Sequence, residues 1–211
     1  QPDAPVAKAV TAGLPTIALR CPAHPVMQAV LKQSGLFLAA PSANRSGGIS
    51  PTRAEHVAYS FGDAMPLVLD AGPCAAGLES TIVAVRENGW QLLRPGPVTA
   101  DEIALLLGEP PLPVTEAKIE APGQLASHYA PSKPVRLNAS NALADEWHIG
   151  FGGVAGDDNL SAEGDLAEAA ARLFDALHTA DASDKKAIAI APIPDQGIGV
   201  AINDRLRRAA A

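Results

Sequence analysis

The sequence predicts an α/β protein in two parts joined by an extended connection. Residues 1–108 read as a twisted α+β sheet domain, 109–134 as a Pro-rich linker, and 135–211 as a small, open, Rossmann-like α/β domain. Three observations carry this. Apolar stretches of strand length outnumber helical ones in the first part and include a hairpin pattern. Six of the 19 prolines (110, 111, 113, 122, 131 and 134) crowd into the middle stretch, where aliphatic residues are sparse. Beyond them, short buried-type strands alternate with helical periods, the pattern of an open parallel sheet.

Taken in order, Thr16–Arg20 (TIALR) reads as a strand and 24–34 as a helix that Gly35 closes. Leu36–Ala40 reads as a second strand running into the polar turn 41–50. Thr52 with Glu55 three residues later has the spacing of a capping box, opening a helix to about Phe61. Pro66–Asp70 reads as a third strand, followed by a Gly/Pro-rich loop to Leu78. The stretches 80–86 and 90–94 alternate around Glu87-Asn88-Gly89, a hairpin signal. Thr99 and Glu102 give a second capping box, and Gly108 ends that helix. In the last part, strands are expected over 135–137, 148–151 and 187–191, and helices over about 140–146, 165–180 and 199–209.

Composition narrows the function. The chain has 211 residues and is 47% apolar and 18% charged, enough apolar material for a core, while aromatics are only 4%. Ala, Val, Leu and Ile must therefore build that core. Formal charge is −7, which argues against a general nucleic-acid coat. The excess is uneven: residues 135–211 hold 12 acidic against 7 basic groups, residues 1–108 only 8 against 7, so an anionic substrate is better placed in the first part. No apolar run approaches the ~20 residues of a membrane span, and the opening residues have no signal-peptide pattern. A cytoplasmic protein is expected. Cys21 and Cys74 form neither a disulfide framework nor a metal site and read as small buried residues.

The densest polar signal is 41–52, PSANRSGGISPT. A strand runs into hydroxyls, an amide, an arginine and two glycines, and a helix follows. Backbone N–H groups and a helix N-terminus in such a turn suit an anion such as phosphate, although a loop whose Ser and Asn cap their own turns fits the same residues. No Walker A sequence occurs. Arg20 and Arg94 end strands beside loops, where guanidinium clamps on carboxylate or phosphate are found, and where ordinary surface charges are found too. His128-Tyr129 is unexpected inside a linker and suits docking onto a surface. His24, His56, His148 and His178 lack metal-ligand spacing, so no protein-held metal is expected. Arg205, Arg207 and Arg208 read as cations complementing a helix C-terminus.

The order TIALR (16–20), APSANRSG (40–47), ESTIV (79–83), LRPG (93–96), HYAP (128–131) and AINDRLRRAA (201–210) resembles the two-domain Sua5 branch of the YrdC/Sua5 family, the L-threonylcarbamoyladenylate synthases. The resemblance covers nearly the whole chain. It implies a YrdC-like catalytic domain over 1–108, incomplete here because that domain opens in the family with about 90 more residues, including a Lys/Arg motif that contacts ATP. It implies a Sua5-type α/β domain over 135–211.

The implied chemistry takes L-threonine, bicarbonate and ATP, with Mg²⁺ accompanying the ATP, to threonylcarbamoyl-AMP and pyrophosphate. A downstream tRNA threonylcarbamoyl transferase then modifies adenosine 37 of certain tRNAs. By resemblance, Arg20 holds the threonine carboxylate, and Ser80 and the Ala40 backbone seat the amino acid. Thr16, Ser42, Ser50 and Arg94 contact the nucleotide, Asn44 supports the Ser42 turn, and Tyr129 reaches back from the linker as a lid. No residue serves as a covalent nucleophile, in keeping with catalysis by positioning and charge. The alternative is a nucleotide- or RNA-binding module without catalysis.

Overall fold

In the computed structural model, residues 7–65, 67–114 and 120–211 are described. By its contacts the chain forms two compact units, 1–42 and 43–211. The first unit holds two helices. The four-residue α1 (Lys8–Thr11) ends on Ala12, which takes a left-handed conformation (φ 50°). Helix α2 (Pro25–Ser34) starts with proline in its first turn, is capped by the His24 ring accepting from the Val26 N–H, and stops at left-handed Gly35. Neither helix buries a residue. The strands expected at Thr16–Arg20 and Leu36–Ala40 do not form a sheet among the described residues. Strand propensity needs a hydrogen-bonded neighbour to become a strand, and Leu19, Leu36, Phe37 and Leu38 stay exposed.

The second unit opens with α3 (Ala54–Phe61) and a 3₁₀ turn, Gly62–Ala64. The helix begins one residue later than the Thr52–Glu55 spacing suggests, with Arg53 at its N-cap and no side-chain cap. The Thr52 N–H donates instead to His56 Nδ1 at 3.2 Å. Leu67–Asp70 likewise joins no sheet; Pro66, the first residue of that expected strand, lies outside the described residues. Strands β1 (Ile82–Arg86) and β2 (Gly89–Arg94) form the expected antiparallel hairpin, with an irregular register between Ile82 and Val83. Helix α4 (Ala100–Leu107) carries the complete Thr99/Glu102 capping box and stops at left-handed Gly108.

The stretch read as a linker is anchored where it is described. Leu112 N–H donates to Trp90 O at 2.7 Å, buried Trp90 Nε1 to Glu109 O at 3.1 Å, and Arg86 pairs with Glu120. The chain then enters a four-stranded, all-parallel sheet in the order β3-β6-β4-β5: β3 (Val135–Arg136), β4 (Glu146–Gly150), β5 (Asp158–Asn159) and β6 (Ala187–Ile190). Helices α5 (Leu166–Ala182) and α6 (Gly199–Ala209) complete this α/β part. Ile149, Ile188 and Ile190 of the sheet pack with Leu173, Phe174 and Leu177 of α5 and Ile202 and Leu206 of α6. Three residues from loops ahead of the sheet, Ile49, Leu78 and Tyr129, belong to the same apolar cluster, so one core spans residues 49–206.

The helix expected over 140–146 is absent. Glu146 is drawn into β4, where its carboxylate accepts from Arg136 Nε at 2.8 Å and from the Leu143 N–H at 2.7 Å. The Arg136 guanidinium holds that carboxyl down to about 2. Cys21 and Cys74, expected inside, are free and exposed, because both sit in segments that no core element covers. Among the described residues no helix is long and apolar enough to cross a membrane.

Two histidines tie α3 to α5. The His56 and His178 rings stack at 3.8 Å and 24°, and His178 Nε2 lies 3.2 Å from Ser50 O. A carbonyl can only accept, so His178 carries its proton on Nε2 there. Burial pulls both imidazoles below their ordinary 6.5 despite nearby Asp175. A lowered histidine leaves the unfolded chain binding more protons, so the contribution of the neutral pair is complete above pH 6.5 and fades as pH falls below it. The melting temperature should therefore drop between pH 7 and pH 5, and less steeply in His178→Gln, whose amide can still donate to Ser50 O; scanning fluorimetry across that range checks it.

Candidate functional site

The polar turn after Ser42 is built by one side chain. Asn44, 8% exposed, donates from Nδ2 to Arg45 O and to Gly48 O, each at 3.0 Å, closing a tight loop that Gly47 completes at φ 85°. Its Oδ1 is buried without a hydrogen-bond partner among the described residues. The linker lies against this loop: Ala130 N–H donates to Gly47 O at 2.9 Å, and Gly48 and Ala130 form a single parallel bridge. Ser50 follows, buried, its hydroxyl donating to Glu79 Oε1 in a short hydrogen bond.

Glu79-Ser80-Thr81 is held from two sides. Buried Arg94, ending β2, donates to Ser80 O from Nε at 3.1 Å and from Nη2 at 2.8 Å, and reaches Pro122 O from Nη1 at 3.3 Å. Burial lowers the pKa of this guanidinium below its usual value, while leaving it charged. Thr81 Oγ1 donates to Val98 O at 2.6 Å. Gly96 explains how these segments approach so closely: a Cβ on it would stand 2.4 Å from Thr81 N and 2.7 Å from Glu79 O. Gly77, at φ 66°, plays the same part against α5, where a Cβ would meet Ala170 O at 2.3 Å.

Tyr129 is 1% exposed and sits at φ 62°, a left-handed conformation that costs a non-glycine residue of order 1 kcal/mol. Packing maintains it. Its ring meets His128 edge-on at 4.1 Å and Phe174 at 5.6 Å, and the Arg205 guanidinium lies 5.2 Å over its face. Its hydroxyl has no hydrogen-bond partner among the described residues and lies where a Cβ on Gly123 would stand 2.1 Å away, and burial raises its pKa above the usual 10. The ring is thus a core residue of this conformation rather than an exposed flap.

The structure brings Asn44, Ser50, Ser80, Arg94 and Tyr129 into one connected set of loops within the second unit. Thr16, Arg20, Ala40 and Ser42 belong to the first unit, where all four are exposed. Sequence reasoning missed two members of the set. Glu79 stands in the sequence only as the first residue of the ESTIV motif, and Arg205, read as a helix-end cation, is 0% exposed and pairs with Glu79 Oε2 at 2.8 Å and with Asp204 Oδ2 at 2.8 Å. Spacing alone could not have found that pair, because 126 residues separate its partners. Among the described residues no group of three His, Cys, Asp or Glu side chains converges.

A family model described as "Telomere recombination" (Sua5/YciO/YrdC) matches residues 1–96, and one described as "Threonylcarbamoyl-AMP synthase, C-terminal domain" matches residues 98–211. A threonylcarbamoyl-AMP synthase of Bacillus subtilis is 36% identical over all of this chain and 67% of its own length. One of Pyrococcus abyssi is 35% identical, covering 97% of this chain and again 67% of the relative. The chain thus spans about two thirds of the length of these relatives. In three dimensions it is similar to a solved structure described as "Crystal structure of P. abyssi Sua5 complexed with L-threonine", with a TM-score of 0.87 and 32% identity over 97% of this chain and 67% of that one. A P. abyssi Sua5 carrying alanine at an adjacent histidine and tyrosine is also similar, at TM-score 0.84 and 29% identity over 97% of this chain and 66% of that one.

Replacing Gly96 with alanine should force the Glu79–Thr81 backbone away from the Arg94 turn and destabilise the protein by about 1–3 kcal/mol, the usual cost of overpacking. Urea unfolding of Gly96→Ala against the parent chain measures it.

Proposed function

The chain belongs to the Sua5 family, and from that premise we propose that it is a threonylcarbamoyl-AMP synthase acting in tRNA threonylcarbamoyladenosine formation in the cytoplasm. The observation that carries the proposal is the match, over 97% of the chain, to a Sua5 described with L-threonine bound. The three-part division into 1–108, 109–134 and 135–211 is retained as a functional one.

In this reading the threonine amine takes up bicarbonate as a carbamate with loss of water. A carbamate oxygen then attacks the α-phosphorus of ATP, forming the mixed anhydride while pyrophosphate leaves. No covalent enzyme intermediate is needed, so the protein contributes orientation and charge. Arg20 pairs with the threonine carboxylate, a two-pronged match suited to guanidinium; Ser80 and the Ala40 backbone seat the rest of the amino acid. Thr16, Ser42 and Ser50 bring hydroxyls to the nucleotide, and Asn44 holds the 44–48 loop so that its N–H groups face the phosphates. Arg94 serves the nucleotide through the shape it gives Ser80. Mg²⁺ arrives as part of the Mg–ATP substrate, held by phosphates and water, the usual manner for this ion. Tyr129 shields the site from water, which would hydrolyse the adenylate, and the product passes to a tRNA threonylcarbamoyl transferase.

Pyrophosphate release should require ATP, Mg²⁺, threonine and bicarbonate together, each omission abolishing it. The assay is run on this chain alone and on this chain joined to the remaining third of the B. subtilis relative's length; release from neither, with folded protein, rejects the proposal. Tyr129→Ala should weaken ATP binding and lower the ratio of adenylate to AMP in the products by about tenfold, read by calorimetry and chromatography; unchanged values would remove Tyr129 from the site.

A further inference from the structure

We infer that Arg205, on the last helix of the C-terminal domain, is a positioning residue for the synthase reaction: it fixes Glu79 and, through Glu79, both the Ser50 hydroxyl and the Ser80 turn. The inference rests on the synthase reading for the reaction it serves. Its geometry does not. Arg205 comes from α6, the helix with the greatest sequence distance from the site, yet its guanidinium is 0% exposed. A buried cation needs partners, and each of its nitrogens has one. Nε donates to Glu79 Oε2 at 2.8 Å, Nη1 to Asp204 Oδ2 at 2.8 Å, and Nη2 to Glu79 O at 3.5 Å.

The Glu79 carboxylate is thereby divided. One oxygen takes Arg205, and the other takes the Ser50 hydroxyl. Ser50 is held again through its carbonyl by His178 of α5, and Ser80 through its carbonyl by Arg94. A carboxylate with both oxygens engaged has little rotational freedom, so the serines on either side of it inherit a fixed geometry. The same helix grips the linker. Arg208 pairs with Asp204 at 3.0 Å and donates from Nη1 to Leu125 O, while its own carbonyl accepts from the His128 N–H at 3.1 Å. The guanidinium of Arg205 closes the arrangement by covering the Tyr129 face. This gives the C-terminal domain a task in the chemistry: α6 holds the loops that carry Ser50 and Ser80.

The test compares Arg205→Lys, Glu79→Gln and the double variant with the parent protein, and uses Arg207→Ala as the control, since Arg207 is exposed on the same helix. Lysine keeps the buried charge but cannot bond Glu79 and Asp204 together, so folding is preserved better than with an apolar replacement. Each single variant should lower kcat/KM for threonine about tenfold, as loss of a charge-assisted hydrogen bond does. The double variant should lose no more than the worse single, because the two residues act as one unit. Amide hydrogen exchange should quicken at residues 50 and 79–81 and stay unchanged in α5. Unchanged kcat/KM and unchanged exchange, whatever the melting temperature does, would overturn the inference, as would losses that multiply in the double variant. If neither this chain nor its extended form releases pyrophosphate, the synthase reading fails separately and the exchange pattern decides the positioning role by itself.

Discussion

A guanidinium removed from water constrains everything around it. Burying Arg205 is tolerable only because Glu79 and Asp204 compensate its charge, and satisfying it requires residues near position 79 and residues near position 205 to meet at hydrogen-bond distance. That requirement draws α6 onto the loops at 44–50 and 77–81 and leaves the linker only the path between them. The close approaches at Gly77 and Gly96 follow, since no side chain fits where those backbones come together. The left-handed Tyr129 follows as well, its strained backbone kept in place by the contacts of its ring with Phe174 and with the Arg205 guanidinium.

Electrostatics and burial divide the labour across this junction. The apolar cluster running from Ile49 through Leu78 and Tyr129 to Leu206 supplies the non-directional attraction. The polar contacts set register. Arg94 can join two segments distant in sequence, at Ser80 and Pro122, because its fork is rigid, and Asn44 can close a loop because its amide spans five residues. Such contacts add modest net stability, yet their loss would leave several of the buried groups unpaired, so they select one arrangement of the loops over its neighbours.

Local signals in the sequence were legible, and distant ones were not. The 82–94 hairpin, the Thr99/Glu102 cap, Gly35 and Gly108 as helix stops, and helices α5 and α6 all follow from residues within one or two turns of each other. Asn44 and Arg94 stand out in the sequence because a turn and a strand end announce them, and both are buried and hydrogen-bonded in the fold. The apolar stretches at 16–20 and 36–40 misled, since strand character is realised only by a partner. Thr52–Glu55 misled because the His56 ring captured the donor that a cap would have satisfied. Glu146 began a strand, not a helix end, because Arg136 ten residues earlier claimed its carboxylate. Glu79 and Arg205 were out of reach for the same reason at greater range: each has an ordinary local explanation, and only the fold discloses the other.

The separation of that pair has a bearing on how the protein is made. A ribosome delivers roughly 5–20 residues per second and domains generally settle in order of emergence, yet here the 77–81 loops must wait for α6, whose Arg205 follows Glu79 by 126 residues. Until the closing helix leaves the exit tunnel, Glu79 has no counter-ion from Arg205 and Gly77 has no helix to lean on. A chain released early would therefore carry the site's residues in sequence but not in space. The order of emergence therefore sets the order of settling: the earlier loops take their final form only once the later helix has reached them.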